Sequence, residues 1–206
     1  MSAGMMILTV VAVLLFCGVL QRVLDRMYLS DRAALLLIAL MFVGGLLPNV
    51  EIGRVSVSLG GAVIPTGVCL WLLIKADTVQ EKLRSLGGVI LTGTAIYLLG
   101  RLLPAEAEEL PADPNLIYGA AAGVIACILG RSRRCAFICG VLGVIAADVA
   151  VALINWSKGV DQQLVLGGAG LADTAVISGV LAVLLAELVG EIRERIMRGR
   201  KESEKT

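Results

Sequence analysis

The chain has 206 residues, of which 58% are hydrophobic, 17% are charged and 4% are aromatic, and its formal net charge is +1. A soluble domain is about 45–50% apolar and about one quarter charged. This apolar surplus is too large for one compact core, so it must face lipid. The composition excludes a soluble enzyme, a disulfide scaffold and a nucleic-acid binder. We therefore expect an all-α integral membrane protein whose first partner is the lipid bilayer.

Histidine is absent from the sequence, and its absence restricts the chemistry. Ser-His and Cys-His nucleophile pairs, HExxH zinc sites and histidine proton relays are excluded. The five cysteines lie in apolar stretches with no other soft ligand beside them. They are Cys17, Cys69, Cys127, Cys135 and Cys139. We expect neither a metal site nor a cofactor.

Seven apolar stretches are long enough to cross, or nearly cross, a bilayer, in which a perpendicular helix needs about 20 residues. They cover about residues 3–20, 33–50, 57–74, 86–103, 115–130, 135–156 and 172–192. The first stretch lacks a basic n-region and an A-x-A cleavage site, so we expect it to remain as a helix. The sequence thus predicts seven transmembrane helices within a single transmembrane domain, 1–206.

The positions of the basic residues predict the orientation of these helices. Fifteen of the 18 Lys and Arg residues fall on one side of the predicted membrane, and only Arg54, Arg101 and Lys158 fall on the other. Lys and Arg concentrate in cytoplasmic segments, so the N-terminus is predicted outside and the C-terminus inside. Residues 193–206 then form a basic cytoplasmic tail that continues the last helix. The acidic segment Pro104–Pro114 becomes an extracytoplasmic loop.

The sequence Leu-Gly-Gly-Ala occurs twice, at Leu59–Ala62 and at Leu166–Ala169. Each copy follows an asparagine, Asn49 or Asn155, and then a segment whose residues alternate as in a strand. We interpret the halves as two weak parallel repeats joined by one helix, with a symmetry axis along the membrane normal. The repeats cover about residues 1–75 and 115–192, and the joining helix covers about 86–103.

Each predicted repeat contains a Gly-rich extended segment that re-enters the membrane from the outer side. Irregular backbone at membrane depth is tolerated only where protein or a water-filled cavity covers it. We therefore expect the two segments to meet beside a shared polar cavity. The alternative is that the glycines only let helices pack closely, as small residues do in membranes. The residues expected to line the cavity are Asn49, Gly60, Gly61, Pro65, Asn155, Gly168, Gly170 and Thr174.

Two aspartates, Asp148 and Asp173, lie inside apolar stretches. A charged side chain near the bilayer centre costs at least about 2.5–3.5 kcal/mol, so acids retained there usually face a cavity and serve a function. Asp148 is about 10 Å from the outer end of its helix. The extended segment before Asp173 would return the chain to a similar depth, so both carboxyl groups would meet on adjacent helices.

A carboxyl pair in a pocket of low dielectric constant shares one proton. One member then acts as general base for a water and the other as acid toward a carbonyl. Without histidine, this is the best hydrolytic arrangement that the sequence offers. The same pair also fits the binding of a coupling proton or Na⁺.

Three segments, Ser58–Pro65, Gly143–Asp148 and Gly167–Asp173, together with the Ser178-Gly179 that follows, resemble the motifs of an uncharacterised domain-of-unknown-function family. The family consists of polytopic membrane proteins of bacteria and archaea. The resemblance extends from the second to the seventh predicted helix and implies a multi-pass protein of the plasma membrane. It implies no activity.

A more distant resemblance is to the GxGD intramembrane aspartyl proteases, which include presenilin, signal peptide peptidase and prepilin peptidase. In those proteins one Asp lies in a transmembrane helix, and a second lies in a Gly-x-Gly-Asp motif that opens the next helix. Asp148 and Asp173 match these positions, but Leu171 and Ala172 separate Gly170 from Asp173, and the last helix has no Pro-Ala-Leu. The resemblance implies that the two aspartates are catalytic and that the substrate is a transmembrane peptide.

Three functional hypotheses follow. The first is an intramembrane aspartyl protease-like protein that uses Asp148 and Asp173. The second is an ion- or proton-coupled transporter or channel that uses the same pair, and the third is a non-catalytic membrane scaffold. The sequence is also compatible with a homo-oligomer.

Overall fold

A computed structural model of the chain describes residues 31–102, 113–130, 132–168 and 173–203, and within these ranges it describes the side chains of residues 36–193. The described helices are α1 (Asp31–Leu46), α2 (Ile64–Ile74), α3 (Val79–Leu102), α4 (Pro114–Gly130), α5 (Arg133–Ser157) and α6 (Thr174–Ser203). The described strands are β1 (Val50–Ile52), β2 (Val55–Val57) and β3 (Leu164–Leu166), and a π-helical turn at Leu59–Val63 precedes α2. The first predicted helix, most of the acidic loop and Gly170 lie outside the described residues.

Within the described residues, three helical segments are long and apolar enough to cross a membrane: Val79–Leu102 with 24 residues, Arg133–Ser157 with 25 and Thr174–Arg193 with 20. Three other apolar segments are shorter, namely Leu36–Leu46, Leu59–Ile74 and Pro114–Gly130. The predicted class, a mainly helical chain with membrane-spanning helices, agrees with these lengths. Seven crossings and an N-out, C-in orientation remain predictions.

The first turns of α3 extend beyond the apolar stretch that the sequence marks. The helix begins at Val79, before the predicted start at 86, because Thr78 caps it. Its Oγ1 accepts a hydrogen bond of 3.2 Å from the backbone N–H of Glu81. A Thr followed three residues later by Glu is a typical helix-start signal. These turns contain polar residues, so hydropathy alone does not assign them to the helix.

Helices α3 and α5 run parallel and pack through small residues. A Cβ built on Gly143 of α5 would lie 2.7 Å from Cβ of Thr92 on α3. Further back along both helices, a Cβ on Gly88 would overlap the sulfur of Cys139. The residues in contact are four positions apart on each helix: Gly88 and Thr92 on α3, Cys139 and Gly143 on α5. Residues equally far beyond these contacts therefore lie at the same level along the two helices.

Helices α4 and α6 form a second parallel pair, antiparallel to the first. A Cβ built on Gly119 would lie 2.7 Å from Cγ2 of Ile177, and one on Gly123 would lie 3.0 Å from Cβ of Leu181. Helix α5 packs against α3, α4 and α6, so the four helices form a bundle with α5 at its centre. The bundle has two ends. The end at which α3 and α5 terminate is called the strand end, because β3 follows α5 there. The opposite end, which carries Arg133 and Arg134, is called the arginine end.

The two segments predicted to be extended meet in a three-stranded sheet. β2 pairs in parallel with β3, with Val55 opposite Leu164 and Val57 opposite Leu166. The N–H of Ser58 extends this ladder by donating to the carbonyl oxygen of Leu166 at 2.9 Å. β1, which the sequence did not predict, pairs antiparallel with β2 and forms the edge of the sheet.

The two Leu-Gly-Gly-Ala motifs differ in backbone conformation. In the first, Ser58 Oγ caps the π-helical turn by accepting a hydrogen bond of 3.3 Å from the N–H of Gly61, and α2 follows directly. In the second, Gly167 has a φ of 68°, a left-handed conformation that favours glycine. Helix α6 begins only at Thr174. The parallel-repeat interpretation therefore stays a prediction.

We expect Gly60→Ala to lower the melting temperature of the purified protein. A Cβ at this position would overlap the backbone of α1 at Met41 and Gly45, which cannot swing aside as a flexible side chain would. Overpacking of this kind costs about 1–3 kcal/mol. The matched control is Gly67→Ala on α2, where the Cβ position has no neighbouring atom within 4 Å. Equal melting temperatures for the two variants would contradict the tight contact between the π-helical turn and α1.

Candidate functional site

The strand end of the bundle encloses a cavity of about 630 Å³. This volume is within the range of about 300–1,000 Å³ that is typical of small-molecule sites. The polar residues that line it are Tyr97, Arg101, Asn115, Tyr118, Asp148, Asn155, Lys158 and Thr174, and the other lining residues are Ile96, Gly100, Pro114, Val144, Ala147, Val151 and Ile154. Helices α3, α4 and α5 supply most of the wall, and the first residue of α6 completes this lining.

Asp148 is the carboxylate that faces the cavity. It lies on α5 between the apolar lining residues Val144 and Val151, and it is half-buried. Within the described part of the chain, its side chain has no hydrogen-bond or ion-pair partner, although it interacts electrostatically with Asp173. A carboxyl group in such a position has its oxygen atoms available to a proton, a cation or a ligand.

Asp173 has a different position from the one that its pairing with Asp148 suggested. It caps α6: its Oδ1 accepts a hydrogen bond of 3.0 Å from the N–H of Ala175, and its carbonyl oxygen accepts one of 3.0 Å from the N–H of Ile177. Aspartate is a preferred N-cap residue, and its charge is favourable at the positive end of the helix dipole. The two aspartates thus interact electrostatically, but only Asp148 is among the residues that line the cavity.

Two basic residues also line the cavity. Arg101, on α3, donates from Nη2 to the hydroxyl of Tyr97 at 2.6 Å, and its guanidinium lies 5.1 Å from the centre of the Tyr97 ring. The four-residue spacing brings the two side chains together on one helix face. Lys158 adds a second cation where α5 ends. Neither cation is in an ion pair with a carboxylate of the described residues.

Amide and hydroxyl groups complete the polar lining. Thr174 Oγ1 lies 3.0 Å from Oδ1 of Asn115, so the first residue of α6 is joined to the first turn of α4. Asn155 donates from its amide nitrogen to Oε1 of Gln162, in the segment that leads to β3. These bonds hold the helix ends around the cavity.

Most of the described residues predicted to line the cavity lie elsewhere. Gly60, Gly61 and Pro65 are buried but are not among its lining residues, and Gly60 packs closely on α1. Such close packing is what the alternative interpretation expects of the glycines. Asn49 and Gly168 are exposed. Of the predicted lining residues that the structure describes, only Asn155 and Thr174 border the cavity.

The sequence analysis missed Tyr97, Arg101, Asn115 and Lys158. One signal was available: of the three basic residues on the sparsely charged side of the predicted membrane, two line this cavity. Among the described residues, no group of three or more His, Cys, Asp or Glu side chains is arranged to hold a metal ion.

Residues 23–185 match the model of a family described as a protein of unknown function, DUF1614. The chain belongs to this family. The match includes all the cavity-lining residues named above and ends within α6. No curated protein and no solved structure matches the chain. The resemblance to an uncharacterised family is therefore confirmed, and the resemblance to aspartyl proteases has no support from these comparisons.

We expect Asp173→Ala to destabilise the protein by about 1 kcal/mol, because α6 would lose its N-cap. Asp173→Asn should retain most of this stability, because asparagine caps helices about as well as aspartate. Thermal unfolding in detergent would measure the difference. If both variants are destabilised equally, the negative charge of Asp173 matters more than its hydrogen bond.

Proposed function

We propose that this protein is an ion- or proton-coupled membrane transporter whose solute-binding site is the cavity at the strand end. The observation that carries the proposal is Asp148, a carboxylate without a hydrogen-bond or ion-pair partner among the described residues, facing a cavity of about 630 Å³. Ionisable residues within membrane helices typically mark the pathways of ions, protons and substrates. The predicted orientation would open the cavity toward the extracytoplasmic side.

The bundle interior below Asp148 supports a route toward the other end. Thr92 Oγ1 and Ser178 Oγ are buried and have no hydrogen-bond partner among the described residues. Thr92 packs at Gly143 and Ser178 at Gly140, which are about 7.5 Å and about 12 Å deeper along α5 than Asp148. An unsatisfied buried hydroxyl costs about 1–3 kcal/mol, and packing alone does not explain it. Transient hydration at these hydroxyls would let a proton move inward from Asp148.

We expect Asp148→Asn to abolish proton-coupled flux in liposomes that contain the purified protein. Asparagine keeps the size and polarity of the side chain but removes the group that exchanges a proton or binds a cation. Flux would be followed with an entrapped pH-sensitive dye, with the membrane potential clamped by valinomycin. The expected decrease in initial rate is at least about tenfold, the effect of roughly 1.4 kcal/mol on a barrier.

The matched control is Asp161→Asn, at an exposed aspartate that pairs with Arg54 outside the cavity. It should leave the flux unchanged. Thr92→Val should also lower the flux, while its thermal stability is retained or raised because an unsatisfied hydroxyl is removed. Flux that is equal in Asp148→Asn and in the unmodified protein would refute the transporter proposal.

A second candidate function is the intramembrane aspartyl protease, which the electrostatic interaction between Asp148 and Asp173 favours. Hydrolysis would need both carboxyl groups to contact one water. Oδ1 of Asp173 already accepts a backbone hydrogen bond, so Oδ2 would have to contact the water. This arrangement makes the protease the less favoured of the two.

We expect cleavage of a transmembrane peptide, if the protease proposal is correct, to be lost in both Asp148→Asn and Asp173→Asn. Asp173→Asn retains an N-cap residue, so lost cleavage could not be attributed to unfolding. A library of fluorogenic transmembrane peptides in proteoliposomes would provide the substrate. Cleavage that persists in either variant, or no cleavage of any peptide, would eliminate this candidate. If none of these substitutions changes flux or cleavage, the membrane scaffold would be favoured.

A further inference from the structure

We infer that the cavity binds a small zwitterion, a molecule with one ammonium and one carboxylate group such as a free amino acid. This inference rests on the proposed function, because it names the solute of the same site. Its basis is that Arg101, on α3, and Asp148, on α5, line the same cavity.

The register of α3 and α5 places the two charges at similar depth. Thr92 and Gly143 are in contact. Tyr97 is five residues beyond Thr92 on α3, and Asp148 is five residues beyond Gly143 on α5. Tyr97 and Asp148 are therefore at the same level along the two parallel helices. Arg101 starts one turn higher, but its hydrogen bond to the Tyr97 hydroxyl turns the guanidinium back toward that level. The Arg101 head group and Asp148 therefore border the cavity at a similar level along the two helices.

The two opposite charges do not satisfy each other. Arg101 bonds to Tyr97, and Asp148 has no hydrogen-bond or ion-pair partner in the described part of the chain. The cavity that both residues line is large enough for a small molecule. A ligand that brings its ammonium to Asp148 and its carboxylate to Arg101 would make a charge-assisted hydrogen bond at each end, and such bonds are about twice as strong as neutral ones.

The chemistry of the walls disfavours ligands with a single charge. A simple anion would share the cavity with the Asp148 carboxylate, and a simple cation would share it with Arg101 and Lys158. A zwitterion instead compensates Asp148, which is half-buried, and one of the two exposed cations, Arg101. The apolar lining residues, among them Val151 and Ile154, leave room for a side chain.

The test measures binding to the full chain in nanodiscs by isothermal titration calorimetry. The probes are three matched sets: alanine, alaninamide and propionate; leucine, leucinamide and 4-methylpentanoate; phenylalanine, phenylalaninamide and 3-phenylpropionate. In at least one set, we expect the amino acid to bind at least about tenfold more tightly than its amide and its desamino acid, since each charge-assisted bond contributes this much or more.

Two variants test which residue binds the ammonium group of the ligand and which binds its carboxylate. Asp148→Asn should remove the advantage of the amino acid over the desamino acid, and Arg101→Gln should remove its advantage over the amide. Asp161→Asn and Arg54→Gln are matched controls, because these residues pair with each other outside the cavity. Both controls should retain the affinity of the unmodified protein.

Two outcomes would overturn the inference. In the first, the amide binds as tightly as the amino acid, which would make the cavity a cation site. In the second, no probe binds. Either result leaves the proposed transport function standing if Asp148-dependent flux persists. Amino-acid binding without any flux in liposomes would instead refute transport and retain the zwitterion site.

Discussion

The close approach of α3 to α5 is the contact on which the rest of the structure depends. At Gly143 the helix has no side chain, so Thr92 can pack against its backbone. Helix packing in a bilayer gains little from the hydrophobic effect and relies on such contacts between small residues. This contact determines the register of the two helices, and the register places Tyr97 level with Asp148 at the cavity that both residues line.

The two ends of the bundle differ in whether their charged residues form ion pairs. At the arginine end, Arg133 contacts Glu187, and Arg134 forms ion pairs with Asp77 at 3.2 Å and with Glu81 at 3.6 Å. These pairs join α3, α5 and α6 and close that end. At the strand end, Arg101 bonds to Tyr97 and forms no ion pair with a carboxylate of the described residues.

The sheet and the helix caps hold the strand end in shape. β2 and β3 come from segments more than one hundred residues apart, and their parallel pairing ties the chain before α2 to the chain after α5. Asp113 and Asp173 cap α4 and α6, which start side by side. These bonds satisfy backbone polar groups where the strands meet the starts of the helices, as buried backbone generally requires.

The sequence by itself determined the membrane class, the extents of α5 and of the tail helix, and both strand segments that pair, because hydropathy and alternation are local properties. It also identified Asp148, since an acid inside a long apolar stretch is conspicuous without any structure. It did not determine where Gly60, Gly61 and Pro65 lie relative to the cavity, because glycine permits both re-entrant backbone and close packing, and the sequence does not distinguish the two. Only the tertiary structure decided that Asp173 caps a helix and that Arg101 and Asp148 line the same cavity. Both results depend on how α3, α5 and α6 are set against one another, and that arrangement comes from contacts between residues far apart in the chain.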